Sequence, residues 1–338
     1  MSFNDLERAV AIDAGLRDER VVAIDAVLRA SKVCQSVFNH LVTSDTLIKK
    51  DKTPVTIADF GAQAVVNSIL YKFFPNDPVV GEEDSKRLKG DDGKEMRDKV
   101  LSLANSALDT PLNEKETLLI EELTLVAQME VRMWSLDPID ETNGFLRGEE
   151  GQYAVGLSLI IDGVVHLSVI GCPNYPVDFN NPKGERGCVF IAVKGQGAFQ
   201  RNFSSTGEAP IHVADVPLSP EVTYCVSLGA DHAKLGYNDK IASLLGIIKP
   251  ALQMDSMSRY CAVARGDVNI YLRLPYDVNY EEKIWDHAPG SLLVAEAGGI
   301  VTNIDNEPLD FSLGRTLGKV NKGFVVTSSK IHEQVIDA

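Results

Sequence analysis

The chain is 338 residues long, carries a formal charge of −15 and is 44% hydrophobic. That length exceeds a typical single core, so one large or two tightly joined α/β units are expected of an ordinary globular composition. The acidic balance argues against wrapping nucleic acid, which needs a basic footprint, and no apolar run approaches the ~20 residues that span a bilayer. A small phosphate ester stays open, because bound cations reverse the local field. An acidic protein handling phosphate should do so through metal. Cys34, Cys172, Cys188, Cys225 and Cys261 lie far apart with no C-x-x-C pair, which suits a reducing cytosol better than a zinc or disulfide framework. Cys172 reads as a buried filler. The polar stretch Met1 to Asp13 reads as neither a signal nor a transit peptide.

In chain order, apolar positions 21, 24, 27, 28, 34, 37, 38 and 41 lay a helical stripe over residues 20–42, and Asp51 and Pro54 break it. A second helix is predicted with Thr56 as N-cap and Asp59 three residues on, resembling a capping box. Pro78 to Gly81 reads as a short strand delivering Glu82 and Glu83. Residues 84–130 are charged, with amphipathic patches at 97–108 and 116–130, and read as an insertion of helices and loops. Met133 to Leu136 is short enough to be a buried strand, and Pro138 is expected to end its pairing by removing a backbone donor. Tyr153–Ile161 and Val164–Ile170 are β-rich runs joined by Asp162-Gly163, a hairpin signal. Val189–Val193 and Gly197–Gln200 make a second hairpin around Gly195. Strands follow over 222–228, 251–254, 268–274 and 323–327, with helices over 238–246, 257–265 and 287–297, the last stopped by Gly298-Gly299. The sum is a layered α/β chain with a metal-binding half over 1–170, a second half over 171–338 and the active site in the cleft between them.

Chemistry concentrates in W-S-L-D-P-I-D-E-T-N-G-F, Trp134 to Phe145. Asp137 and Asp140 emerge where the apolar run ends, and hard cations take such oxygen ligands. Thr142 adds a hydroxyl, and the turn adds backbone N–H groups that hold phosphate. Acids also close apolar segments at Asp51, at Glu82 with Glu83, and at Asp286 after Ile284-Trp285. Singly these have plainer readings: a solvated charge for Glu82, and for Asp286 an acid facing a helix dipole. Together they can supply the shared carboxylates of a multi-metal phosphatase site.

Four segments carry a resemblance: D-K-T-P-V-T-I-A-D (51–59), V-V-G-E-E-D-S (79–85), L-D-P-I-D-x-T-x-G-F-L-R-G (136–148) and I-W-D-H-A (284–288). They resemble the magnesium-dependent, lithium-sensitive phosphomonoesterases, the superfamily of inositol monophosphatase and fructose 1,6-bisphosphatase. Within it, G-F-L-R-G, M-D-S-x-x-R-Y (254–260) and Y-L-R-L-P (271–275) are most similar to the 3′(2′),5′-bisphosphate nucleotidases. The resemblance implies alternating layers of helices and mixed or antiparallel sheets. It implies two or three Mg²⁺ held by Glu82, Asp137, Asp140, Asp286 and the backbone carbonyl of Ile139. Asp51 and Thr142 match the pair that orients and deprotonates the attacking water; Thr142 is a weak base alone and needs an acidic partner. Ser256, Arg259 and Arg273 match residues that hold a second, 5′-phosphate, which suits guanidiniums because they bind phosphate bidentately. The family more often has Lys at Arg259. Arg259 also reads as a helix-surface charge, Arg273 as a strand-end charge, and His232 either as a nucleoside contact or as a surface-loop histidine.

The implied substrate is adenosine 3′,5′-bisphosphate, a by-product of sulfur assimilation, with 3′-phosphoadenosine 5′-phosphosulfate as a second. The expected partner is that small nucleotide alone, and the expected state a cytoplasmic monomer. One alternative is an inositol (poly)phosphate 1-phosphatase. Another is a nucleotide-binding regulator weakened by Glu141, which stands where the family motif has glycine; Asn143 likewise replaces a common Lys. Glycine there adopts torsions that other residues resist. A glutamate beside bound phosphate adds like charge, worth ~1 to 4 kcal/mol of repulsion at ~4 Å.

Overall fold

Two β-sheets and three helical layers alternate in the computed structural model, which describes residues 16–43, 53–84, 88, 93–113, 131–147, 151–227, 232–274, 280–318 and 323–338. The chain opens with helices α1 (Arg17–Thr43) and α2 (Thr53–Phe73). The α1 stripe forms in large part, burying Ile24, Val27, Cys34 and Phe38, but Val21 is 60% exposed, and Ala30 and Val33, outside the expected stripe, are buried as well. Helix α2 starts three residues before Thr56, so the expected N-cap and capping box do not form. Pro54 takes its first turn, where a missing N–H breaks no helical bond. Asp59 is buried mid-helix instead.

Seven strands follow in one sheet ordered as in the chain: β1 (Val79–Gly81), β2 (Arg132–Asp140), β3 (Ala154–Ile161), β4 (Val164–Pro176), β5 (Arg186–Val193), β6 (Gly197–Asn202) and β7 (Glu208–Ile211). Only the β1–β2 pair is parallel. Two short helices interrupt them: α3 (Lys94–Asn105), which packs on α2, and α4 (Thr142–Leu146). Helix α3 bears out a helical insertion over 97–108, while 116–130 lies outside the described residues. The first predicted hairpin turn forms with Asp162 at φ 51° and Gly163 at φ 75°, both positive as a type I′ turn requires.

The second sheet has the order β11-β12-β10-β8-β9, from β8 (Tyr224–Val226), β9 (Leu252–Gln253), β10 (Ile270–Arg273), β11 (Gly299–Asn303) and β12 (Phe324–Ser328). Its helices are α5 (His232–Leu244), α6 (Ser258–Arg265), α7 (Ile284–Glu296) and α8 (His332–Asp337). Period-two alternation assigns the layers. On the large sheet Trp134, Leu136, Val155, Leu157 and Val169 pack with α1 and α2, whereas Met133, Ala154, Ile170 and Phe190 pack with α6 and α7. On the small sheet Cys225, Tyr271 and Val326 join that same middle core, while Tyr224, Leu272 and Val325 pack with α5 and α8. Strands covered on both faces need continuous apolar runs, and every residue of β3 is buried.

Several boundaries depart from the sequence reading. Strand β2 does not stop at Leu136; it continues through Pro138, which sits in a one-residue bulge where Asp137 pairs Gly156 and Asp140 pairs Ala154. A bulge leaves the extra residue unpaired, so the missing donor costs no ladder bond. Helix α7 begins before residue 287. Two strands went unpredicted: β7, a four-residue exposed edge too short for a pattern to show, and β11, which starts immediately after the Gly298 helix stop (φ 88°). A division at 170/171 falls inside β4, and the chain passes from one sheet to the other between Ile211 and Tyr224.

Candidate metal centre

Parallel pairing of β1 with β2 puts their ends side by side, and the Glu82 N–H donates to the Leu136 carbonyl at 3.3 Å. Glu82 therefore leaves its strand next to Asp137. The bulge turns the end of β2 so that Asp137 and Asp140, three residues apart, serve one place. Helix α7 approaches from the middle layer with Asp286 in its first turn. Carboxylate oxygens of Asp137, Asp140 and Asp286 all lie within 4.8 Å of one another. Acids separated by 149 residues of chain thus share one coordination-sized space.

Left to themselves these acids cannot all ionise. Burial pushes Asp137 well above the usual carboxylate range, with Glu82, Asp140, Asp286 and Asp59 adding like charge. Asp140 is raised by burial and then by Asp286, against partial relief from Arg259. Asp286 is raised chiefly by burial. Glu82 is open to solvent along part of its side chain, yet desolvation of its carboxyl, followed by the charges of Asp286 and Glu83, lifts it to about 7. Asp137 Oδ1 is buried with no hydrogen-bond partner. An orphaned carboxylate oxygen amid mutually repelling acids is what a hard divalent cation would satisfy, so the residues fit one.

The remaining predicted residues arrange around this cluster. Ile139 lies in the bulge with its side chain buried. Thr142 opens α4, half-buried, directly after Glu141. Glu141 adopts φ 73°, ψ 69°, the left-handed region that favours glycine. Ser256 is also left-handed at φ 63°, so two of the four non-glycine positive-φ residues among the described residues sit here. The Ser256 turn presents the Met257 N–H, which donates to Asp140 Oδ2. Arg259 is buried, donates from Nε to the Ser256 carbonyl at 3.1 Å, and stacks 4.7 Å over the Tyr271 ring. Arg273 donates from Nε to Glu282 Oε1 at 2.8 Å. Among the described residues neither guanidinium spends its Nη groups on a hydrogen bond. Both sit within electrostatic reach of the acids, Arg259 with Asp140 and Arg273 with Asp286. Asp51 lies outside the described residues, and so does the side chain of His232, the first residue of α5.

The sequence reading missed Glu282, His287 and Tyr260. Glu282 Oε2 meets His287 Nε2 at 3.0 Å, and His287 Nδ1 meets the Tyr260 hydroxyl at 2.7 Å. Glu282, Asp286 and His287 also bring ligand atoms within 4.8 Å of one another. Both Glu282 oxygens are already engaged, so this trio is a hydrogen-bonded network rather than a second cation site. Its signal was the E-K-I-W-D-H run, where Glu282 stands four residues before Asp286, just ahead of α7. Asp255 was missed as well. It is buried, pairs with Arg147 at the end of α4 and accepts from Ser227 at 3.1 Å, tying the Thr142 helix to the Ser256 turn.

Residues 16–338 match the Inositol monophosphatase family. The chain is 44% identical to the 3'(2'),5'-bisphosphate nucleotidase of Schizosaccharomyces pombe, covering 100% of this chain and 96% of that protein. It is 43% identical to the 3'(2'),5'-bisphosphate nucleotidase of Emericella nidulans, over 95% and 97%. Among solved structures, CysQ from Bacteroides thetaiotaomicron, a bacterial member of the inositol monophosphatase family, aligns with a TM-score of 0.62 at 20% identity, over 93% and 98% of the two chains. Inositol monophosphatase from Anabaena aligns with a TM-score of 0.59 at 22% identity, over 95% of each. Those structures share the layered fold.

Proposed function

The chain belongs to the inositol monophosphatase family, and from that premise we propose that it is a 3′(2′),5′-bisphosphate nucleotidase releasing the 3′-phosphate of adenosine 3′,5′-bisphosphate. One observation carries the substrate choice. Two guanidiniums, Arg259 and Arg273, stand beside the acid cluster with their Nη groups uncommitted among the described residues. A simple monophosphate needs only the metal side, whereas a second phosphate accounts for two guanidinium forks turned to one place. The nucleotidases of Schizosaccharomyces pombe and Emericella nidulans support the same reading by their identity to this chain. The sulfate-bearing 3′-phosphoadenosine 5′-phosphosulfate offers the same 3′-phosphate and is a second substrate of this proposal. Five buried, unbridged cysteines suit a cytosolic setting. Among the described residues no helix is long and apolar enough to cross a membrane.

Glu82, Asp137, Asp140, Asp286 and the Ile139 carbonyl would hold Mg²⁺, two or three ions in this reading. Bound there, Mg²⁺ supplies Lewis acidity that polarises a phosphoryl oxygen and lowers the pKa of water. The chain's own residues do the rest. Thr142 holds the attacking water through its hydroxyl and passes a proton toward Asp51, since a hydroxyl is too weak a base alone. Arg259, Arg273 and Ser256 hold the 5′-phosphate and so fix the 3′-ester against the acids.

Phosphate release from adenosine 3′,5′-bisphosphate and from inositol 1-phosphate, each with Mg²⁺, tests the proposal. The nucleotide is expected to be the better substrate. Equal or inverted preference removes the assignment in favour of an inositol phosphatase. The second reading, a weakened nucleotide binder, draws on Glu141 at φ 73°; tight nucleotide binding without turnover would select it.

A further inference from the structure

We propose that Glu282 is a positioning residue that sets selectivity for the doubly phosphorylated substrate by fixing the guanidinium of Arg273. The proposal rests on the nucleotidase reading and extends it to a residue that touches neither phosphate nor metal. Arg273 lies at the end of β10 and its side chain is 30% exposed, a location where a long side chain normally samples many rotamers. Here its Nε–H is anchored on Glu282 Oε1. Only the Nη groups are left to meet an anion, and they form a fork whose direction the Nε bond fixes.

Glu282 can hold that bond because it cannot itself move. Its side chain is 6% exposed, and its second oxygen is bonded to His287 Nε2. His287 is held in turn by the Tyr260 hydroxyl. Tyr260 packs edge-on against Tyr271 at 5.2 Å, the ring over which Arg259 stacks. The backbone carbonyl of Glu282 accepts from Leu317 N–H at 2.9 Å. Both arginines therefore rest on one buried frame, Arg273 through Glu282 and Arg259 through Tyr271. Preorganised donors are worth more than mobile ones because no ordering cost falls on binding.

The role is geometric, and the test separates geometry from charge. Glutamine at 282 keeps both reach and polarity: its oxygen accepts from Arg273 and its amide nitrogen meets His287. Alanine removes both bonds. Steady-state kinetics on wild type, Glu282→Gln and Glu282→Ala, with Mg²⁺, would compare adenosine 3′,5′-bisphosphate with adenosine 3′-monophosphate, which lacks the 5′-phosphate. For Glu282→Ala the KM for the bisphosphate should rise about tenfold with kcat within about threefold, the scale of a lost charge-assisted bond. The KM for the monophosphate should not change, and Glu282→Gln should stay within about threefold of wild type on both substrates. If Glu282→Ala does not fold, Glu282→Asp replaces it with the same expectation, since a side chain one methylene shorter cannot span both partners. The proposal is overturned if both substrates suffer equally, if neither does, or if Glu282→Gln behaves like Glu282→Ala. A wild type that treats the two nucleotides alike sinks the nucleotidase reading itself, and this proposal with it. A wild type that discriminates alongside an unaffected Glu282→Ala sinks only the role of Glu282.

Discussion

Glu282 and Asp286 stand four residues apart, one just before α7 and one in its first turn, and their carboxyls are shifted in opposite directions. Burial opposes charge on both. At Glu282 the hydrogen bond from His287 and the pairing with Arg273 overcome it and hold the carboxyl down at about 2. At Asp286 burial wins and the carboxyl is raised. Its neighbours Asp137 and Asp140 are raised too, first by burial and then by like charge, Asp137 by Glu82 and Asp140, and Asp140 by Asp286. Burial alone thus does not say what a carboxylate is for; its partners do. Glu282 is a finished interaction, with two oxygens and two donors, whereas the Asp137–Asp140–Asp286 group gathers acids that a cation would satisfy. In the proposed reading the first builds the substrate frame, and the second would hold the cation.

The sharpest way to break this contrast is Asp140→Asn. If the cluster is a cation site, phosphate release from adenosine 3′,5′-bisphosphate should fall at least about 100-fold, because metal-borne charge stabilisation is worth several kcal/mol. The metal-free variant should nevertheless melt about 2–4 °C higher than wild type, since it loses like-charge repulsion while its amide oxygen still accepts from Met257. Lower activity with lower metal-free stability would mean that Asp140 is structural.

Adding Mg²⁺ gives the next effect. At 100 times its dissociation constant one bound ion contributes about 2.7 kcal/mol to the folded state, which differential scanning calorimetry would read as a higher Tm. That gain should be present in wild type and nearly absent in Asp140→Asn. Equal gains in both proteins would place the ion elsewhere.

The pH dependence separates the two acid sets by sign. Glu82 titrates at about 7 when folded against its ordinary 4.5. The folded state therefore holds the proton more tightly, and metal-free stability falls as pH rises from 4.5 through 7. Glu282 titrates at about 2 when folded against 4.5, so its contribution is full above 4.5 and is lost as pH falls toward 2. In chelator, Glu82→Gln should be more stable than wild type at pH 7 and lose that advantage near pH 4.5. Glu282→Gln should be less stable at neutral pH, with the gap narrowing only below pH 4.5. Urea titrations at several pH values measure both, and parallel shifts of the two variants would erase the distinction.

How far this was visible in the sequence follows the same division. Asp137, Asp140 and Asp286 were legible because each ends an apolar run, and such positions come together when strand ends and a helix N-terminus meet. The sheets were legible where alternation or a turn signal marked them, as at Asp162-Gly163. Strand β7 was not, because E-A-P-I is too short for alternation to show and owes its pairing to its neighbour β6. The length of β2 was hidden by Pro138, whose effect depends on a bulge that only the partner strand reveals. Glu282 was hidden because its worth lies in Arg273 and Tyr260, partners that folding brings from earlier in the chain, and in a bond to His287 that only the start of α7 sets up.

Glu141 joins the two halves of the comparison and carries the smallest predicted effect. It is the next residue after Asp140, it adds to the charge that raises Asp140, and it holds a left-handed backbone. A Cβ on nearby Gly144 would run into the Gln152 carbonyl oxygen, so α4 has no room to shift and relieve that torsion. Glu141→Gly removes the charge and the strain together. Relief of the left-handed torsion is worth about 1 kcal/mol, set against a similar loss from the freer unfolded chain, so stability should barely move. Turnover should rise, by about threefold to tenfold for ~1 kcal/mol less repulsion on an incoming phosphate. Glu141→Gln separates the two causes, because it keeps the strain and drops the charge. If Gln reproduces the gain of Gly, repulsion is what restrains the enzyme. If neither variant turns over faster, Glu141 faces away from the phosphate, and the chain's departure from the family motif is neutral.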